Sequence, residues 1–555
     1  MKKILLFSLT LALLLGLSAC EKKGSTDLET DYAHYDAKFE HNGLNYWVIN
    51  HNSVALHENR SAQGDVVIPS KVKYEGTTYY VVAMIAQAFY DCPYLTSVKI
   101  PSTVRIIGDM AFAGCYRLTS VNIPDNVEYI GEEAFSTCEE LTSITIPKSV
   151  QKIGSGAFYD CDGLTSVKIQ NGVTKISSSM FSHCERLRRV TIPGSVQEIE
   201  NTAFANCNYL TSVKIKNGVT KIGYDAFYHC YALRSVSLPN SLKEIGERAF
   251  ADCYRLKSIK LPNKVEKIGE NAFRKCGITR ITIPGSLTYL GGIFRDCDEL
   301  TSVTIKCGVT TIGDRAFSYN RKLRNVTIPK SVTTIESSAF IKCESLSNII
   351  IPNNVTSMGS GVFESCQNLT SITIPDGITK IDDNAFYQCK NLKNITLPES
   401  IKEIGKDAFN SCVNLTSITL PYGLTTIGDA AFIGCEKLTS VTIPSSVTKL
   451  GSTSFALCRG LTQVTIPGSV ETIESAAFEG CWHLTSVNIL DGVKRIEEGA
   501  FASCEKLTSV TIPSSVTKLE RWSFSQCESL TQVTIPKHTV LGNRAFPKKT
   551  KVNRK

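Results

Sequence analysis

Cysteine is the residue type with the most chemistry to offer in this chain. There are 21, and 19 of them recur at one interval, Cys92, Cys115, Cys138 and onward to Cys527, with Asn320 standing once in their place. Thiols at regular spacing suit disulfides, metal sites or a packed column. Metal is the weakest of these, because no CxxC occurs and no histidines or carboxylates cluster with the thiols. Each recurring cysteine lies three residues after a phenylalanine on an apolar face, so a ladder of reduced, buried thiols is expected. Cys307 stands off that ladder and is expected to be a free thiol. The eight histidines are scattered, and there is no P-loop, GxSxG or HExxH pattern. No catalytic residue, metal or cofactor is expected, and the chain reads as a non-enzyme.

Charge is ordered even though its sum is small. A net +8 against 60 Lys and Arg and 52 Asp and Glu gives no case for nucleic acid. Yet one recurring position holds Lys99, Lys168, Lys214 and Lys260, and a neighbouring one holds Arg189 and Arg280, before both turn to Thr, Ser and Asn. Cations in a column would attract an acidic partner; the later threonines are explained by their fit to a strand. Tyr94, Tyr116, Tyr209, Tyr231 and Tyr254, with Tyr90, Tyr159 and Tyr228 nearby, make a second stripe. Rigid amphipathic rings of this kind suit an interface. These cations and the first five tyrosines are the candidate ligand-binding residues, all between Tyr90 and Arg280.

What positions them is a repeat of 23 residues, clear from Leu118 to Glu140. Leu118, Val121 and Ile123 read as a short strand ended by Pro124, which has no N–H to give a ladder. Ile130, Ala134, Phe135, Cys138 and Leu141 are spaced by three and four, the face of a helical turn or two. Gly131 precedes that turn, but Ser177, Glu200, Glu336 and Glu474 fill the same slot, so a compulsory positive φ is not expected there. A period of this size means a solenoid of stacked coils, since one coil cannot bury its own apolar face. Twenty-one phenylalanines from Phe89 to Phe546 would form its internal stack. The interval from Phe273 to Phe294 is two residues short, which predicts a local dent more than a hinge.

The pattern L-x-x-V-x-I-P-x-x-V-x-x-I-G-x-x-A-F-x-x-C resembles the BspA-like leucine-rich repeats of bacterial surface proteins. The resemblance implies a curved, right-handed repeat solenoid with a parallel β-sheet on the concave face. Short helical or irregular turns would lie on the convex face, and the role would be adhesion or surface binding. The cation columns would then lie on the concave sheet and the tyrosines along its rim.

The chain opens as an address. Lys2 and Lys3 precede an apolar run, Ile4 to Leu17, too short to serve as a membrane span. Leu17-Ser18-Ala19-Cys20 resembles a lipobox with Cys20 as the lipidated residue. The expected organisation is a signal peptide over 1–20, a polar tether over 21–36 and an N-terminal cap over 37–83. The solenoid follows over 84–546 and a basic tail over 547–555. The function expected is a lipid-anchored envelope protein, surface-exposed on the outer membrane, a monomeric array that binds a protein or glycan ligand. The alternatives are a structural spacer of the envelope and a polysaccharide-capture protein.

Overall fold

Most coils begin as a strand because their β-branched residues alternate with polar ones, so one face can be buried and the other wetted. The computed structural model describes residues 37–555. Cys20, the signal segment and the tether lie outside the described residues. The described residues form two compact units, 37–255 and Leu256–Lys555, each built on a parallel β-solenoid.

In the first unit the strands Ser143–Ile146, Ser166–Ile169, Arg189–Ile192, Ser212–Ile215 and Ser235–Ser237 pair in parallel. Their register is one whole repeat, with Thr145 beside Lys168 and Thr191 beside Lys214. Ahead of them, Lys38–His41, Leu44–Asn50 and Ser53–Leu56 form an antiparallel meander. The hairpin Lys71–Tyr74 and Thr77–Met84 follows, turning at Glu75-Gly76. Thr77–Met84 carries the cap into the array by pairing in parallel with Ile106–Ile107.

The second half of the coil differs from the expected helical turns. No helix forms among the described residues. Ile130 instead belongs to a second, two-residue strand, Tyr129–Ile130, between Ile106–Ile107 and Lys152–Ile153. A run of tight turns follows. Met110 and Gly114 have φ of 52° and 77°, and their counterparts Glu133 and Thr137 have 51° and 57°. Two left-handed residues four apart cannot belong to an α-helix. They turn alternate N–H groups toward the next coil: Met110, Phe112 and Gly114 donate to the carbonyls of Glu132, Ala134 and Ser136 at 2.7–3.0 Å. The residues between, Ala111, Ala113 and Cys115, donate within their own coil to Gly108, Met110 and Phe112. His183 and His229 occupy the second left-handed slot, a position histidine tolerates well.

Two columns run through the core among the buried Leu, Ile, Val and Ala side chains of every coil. Phe rings stack face to face from Phe89 to Phe250 in the first unit, Phe204–Phe227 at 5.2 Å and Phe227–Phe250 at 5.1 Å between centroids. Beside them run the cysteines, unbridged and buried. Past Cys92, which donates to the Asn59 carbonyl at 3.1 Å, ladder Sγ atoms donate to the Phe carbonyl of the preceding coil, as in Cys115 to Phe89 at 3.1 Å and Cys230 to Phe204 at 3.2 Å. The thiol therefore satisfies a buried acceptor as well as filling space. Asn320 shows the requirement, since its Nδ2 donates to the same acceptor, the Phe294 carbonyl, at 3.0 Å.

The hydroxyl residues are used in the same way. Thr119, Thr165 and Thr211 Oγ1 donate to the carbonyls of Thr96, Thr142 and Arg188. Ser195 and Ser241 donate to the carbonyls of Val173 and Val219. Much of the Ser and Thr content thus joins coil to coil.

The second unit repeats this pattern, with rings stacked from Phe273–Phe294 at 5.4 Å to Phe524–Phe546 at 5.2 Å. The short interval leaves that stack continuous. Strand Arg280–Ile283 still pairs in register with Ser302–Ile305, and Phe273 N–H reaches the Ile293 carbonyl. The missing residues are absorbed in loops, as a dent and not a break. Within the expected basic tail, Lys551–Arg554 forms a last strand against Gln532–Ile535. Cys307 is exposed and unbridged.

Candidate anion-binding face

The strand face of the first unit carries cations because the period-two alternation sends Val167 and Ile169 inward and Ser166 and Lys168 outward. Arg189 stands in the next coil at the position of Ser166, and Lys214 in the coil after it at the position of Lys168. Lys148 and Lys216 join them from the loops that follow the strands. Lys148, Lys168, Arg189 and Lys216 line a shallow depression of about 620 Å³ with Gln170, Asn171 and Thr191, and no carboxylate is among its walls.

The depression has a backbone cause. The coil at Ile169-Gln170-Asn171-Gly172 lacks the proline that its neighbours carry after the strand. Gly172 takes φ of 146°, and a Cβ there would lie 2.0 Å from the Lys148 carbonyl oxygen, so only glycine allows this close approach. The Gly172 N–H is held by Ser195 Oγ at 3.1 Å.

Electrostatics favour an anion at this face. Several other cations of the unit are paired: Lys175 with Glu198 and Glu200 at 3.4 and 3.1 Å, Lys221 with Glu198 at 3.1 Å, and Arg248 with Asp225. Hydrogen bonds and the nearby charge of Glu200 and Glu198 raise the Lys175 ammonium above its ordinary range, and Glu198 does the same for Lys221. Among the described residues, Lys148, Lys168, Arg189, Lys214 and Lys216 make no ion pair. Five unpaired cations on one face form a local positive field, while the paired ones cancel.

Not every expected residue joins the group. Lys99 ends strand Leu95–Lys99 and is exposed, but Asn122 and Thr145 occupy its column before Lys168. Lys260 and Arg280 belong to the second unit, where Arg280 is exposed at the start of its strand. The tyrosine rim is also interrupted. Tyr116, Tyr231 and Tyr254 follow the ladder cysteine directly, whereas Tyr94 and Tyr209 stand one residue later. Tyr231 stacks on Tyr254 at 5.6 Å, and Arg117 lies over the Tyr94 ring at 5.7 Å. Between these two patches the slot holds Glu139, Asp162 and Glu185. Burial pushes the Asp162 carboxyl up, and Asp160, Glu185 and Glu139 add to the shift.

Five overlapping matches to the family model for the BspA-type leucine-rich repeat region together span residues 83–553. The chain belongs to that family. Among solved structures, this BspA-type chain is similar to a leucine-rich repeat protein from Bacteroides ovatus, with 29% identity over 81% of this chain and 99% of that one, TM-score 0.47. It is also similar to a leucine-rich cell surface protein from Faecalibacterium prausnitzii, with 26% identity over 82% and 94%, TM-score 0.31. The pneumococcal vaccine antigen PcpA matches at 16% identity over 94% and 99%, TM-score 0.26. Among curated proteins nothing matches the chain.

Several surface residues of this BspA-type array were not apparent from the repeat. Lys148 and Lys216 escape a reading confined to strand positions, because they stand in the loops after the strands. In the second unit Ile350 is 79% exposed in the threonine column, and Tyr422 is 86% exposed after its strand position. Trp482 follows a ladder cysteine, with Arg459 over its ring at 4.3 Å. Each interrupts its column, and that interruption was the available signal.

Proposed function

We propose that this chain is a lipid-anchored protein of the bacterial envelope that binds an acidic partner, in adhesion, through the strand face of its first unit. The observation that carries the reading is the set Lys148, Lys168, Arg189 and Lys216, unpaired around a depression that no carboxylate lines, with unpaired Lys214 beside Thr191 one coil on. A repeat array is a binding scaffold: it holds side chains from successive coils at fixed spacing and spreads them over an extended surface. The anchor rests on the apolar run Ile4–Leu17 and on Cys20. Replacing Cys20 by Ser should move the protein from the membrane to the soluble fraction, and unchanged detergent partitioning would refute the anchor.

The face is tested by Lys168→Thr, Arg189→Ser and Lys214→Thr together, each the residue that other coils use in that column. The fold should survive, with circular dichroism unchanged. At about 0.2–1 kcal/mol per exposed charge pair, affinity for an acidic polymer such as polyglutamate should fall about threefold to a hundredfold. Its dependence on salt should flatten as well. Equal affinity and equal salt dependence in the triple variant would remove the site from this face.

A further inference from the structure

We propose that the turn side of the second unit carries a carbohydrate subsite, built around Trp522 and separate from the basic face. Four successive coils form a groove of about 740 Å³ here, a size suited to a small ligand. It opens because Ala476, Gly499 and Ala502 present little side chain, and Trp522 rises beside them, 39% exposed.

Trp522 takes φ of 60° in the left-handed slot that Ala430, Thr453, Ala476 and Gly499 fill in preceding coils, so the fold sets its backbone and the indole is what distinguishes this coil. The ring is also held in place. The Arg521 guanidinium sits 4.7 Å from its centroid and is itself fixed by Glu498 at 2.8 Å.

Around the indole stand groups that recognise hydroxyls. Gln526 accepts from Ser503 Oγ at 2.6 Å through Oε1, which leaves its Nε2 to donate. Glu479 and Arg544 line the groove and form no ion pair among the described residues. A flat aromatic wall, an acceptor carboxylate, an amide donor and a guanidinium match a sugar ring, which offers a C–H face and an edge of paired hydroxyls. Glu479 and Glu498 are balanced in the groove by Arg544 and Lys548, so its walls carry no net charge to select an ion, and their polarity disfavours a purely apolar ligand. The class that fits is a neutral oligosaccharide.

The test is calorimetric titration of the full chain with cellotetraose and with its N-acetylated counterpart chitotetraose. Saturable binding of at least one is expected. Trp522→Ala copies Ala476, which holds the same left-handed conformation, so the fold should survive with circular dichroism unchanged. Its affinity should fall by about thirtyfold, as for an aromatic hot spot. Gln526→Ala should weaken binding on an unaltered backbone. Trp482→Ala, outside the groove, and the triple variant of the basic face should bind as the parent does. Absence of binding by both probes at millimolar concentration, or undiminished affinity in Trp522→Ala, overturns the subsite and leaves the acidic-partner reading untouched.

Discussion

Alkaline titration is expected to unfold both units steeply, because the fold holds its ladder thiols as neutral donors. Burial pushes the thiols up, to about 12 at Cys161, Cys297 and Cys481 and well above the ordinary range at Cys138, Cys207 and Cys435. In the unfolded chain a thiol titrates near about 8.5. A folded value raised above the unfolded one means that stability is complete below that pH and is lost as pH climbs toward the folded value. Each such thiol contributes about 1.4 kcal/mol per pH unit over its window, and the contributions of a column add. Circular dichroism in reductant, followed from about pH 8 to about pH 11, should show a cooperative loss of signal. Cys230→Ser keeps a donor for the Phe204 carbonyl but removes one titrating thiol, so its pH slope should be shallower by one proton. A flat profile, or mass spectrometry finding bridged ladder cysteines, would refute the neutral-donor ladder.

The second large effect is local to the ring stack. Phe227 is fully buried between Phe204 and Phe250, with an aromatic neighbour on each face. Phe227→Ala should destabilise by about 3–5 kcal/mol. The coils above and below are held in place by the strand, turn-amide, thiol and hydroxyl bonds between them, which limits their collapse into the gap. The effect should appear as faster hydrogen exchange at the N–H groups of Phe204, Phe227 and His229, whose acceptors lie in the following coil. Chemical denaturation that shifts by less than about 1 kcal/mol would mean that the neighbouring coils close around the cavity.

The comparison of sequence with structure turns on which residues have interchangeable neighbours. Phe135, Cys138 and Ile146 were legible as core because burial constrains their type at every repeat. The second strand was not, because Tyr129–Ile130 is two residues long and its apolar member also fits a helical spacing. The left-handed positions were hidden more deeply. Glu133, Thr202, Asp225 and Trp522 share one conformation without sharing chemistry. That conformation is imposed by hydrogen bonds to the next coil, and glycine marks it in only a few coils, as at Gly156 and Gly499. Among the candidate cations, Lys168, Arg189 and Lys214 were legible as a column, whereas the depression beside them needed Gly172 and its approach to Lys148. The tyrosines look like one stripe along the sequence but occupy two slots, separated by acidic residues.

Uniform bonding has a consequence for how such a chain changes length. Thiol to Phe carbonyl bonds span 26 residues, as in Cys230 to Phe204, and threonine hydroxyl bonds span 23, as in Thr165 to Thr142. Removing one whole period therefore brings an equivalent donor to every orphaned acceptor, while removing any other length misaligns several ladders at once. Near-identical coding segments in tandem are also the substrate for unequal recombination. Offspring genes would then differ by integral coils, each product still capped at its N-terminus and still folded. The length of the array would be a quantised, heritable variable, and surface residues such as Trp522 or Lys168 could be carried along, lost or duplicated with the coil that bears them.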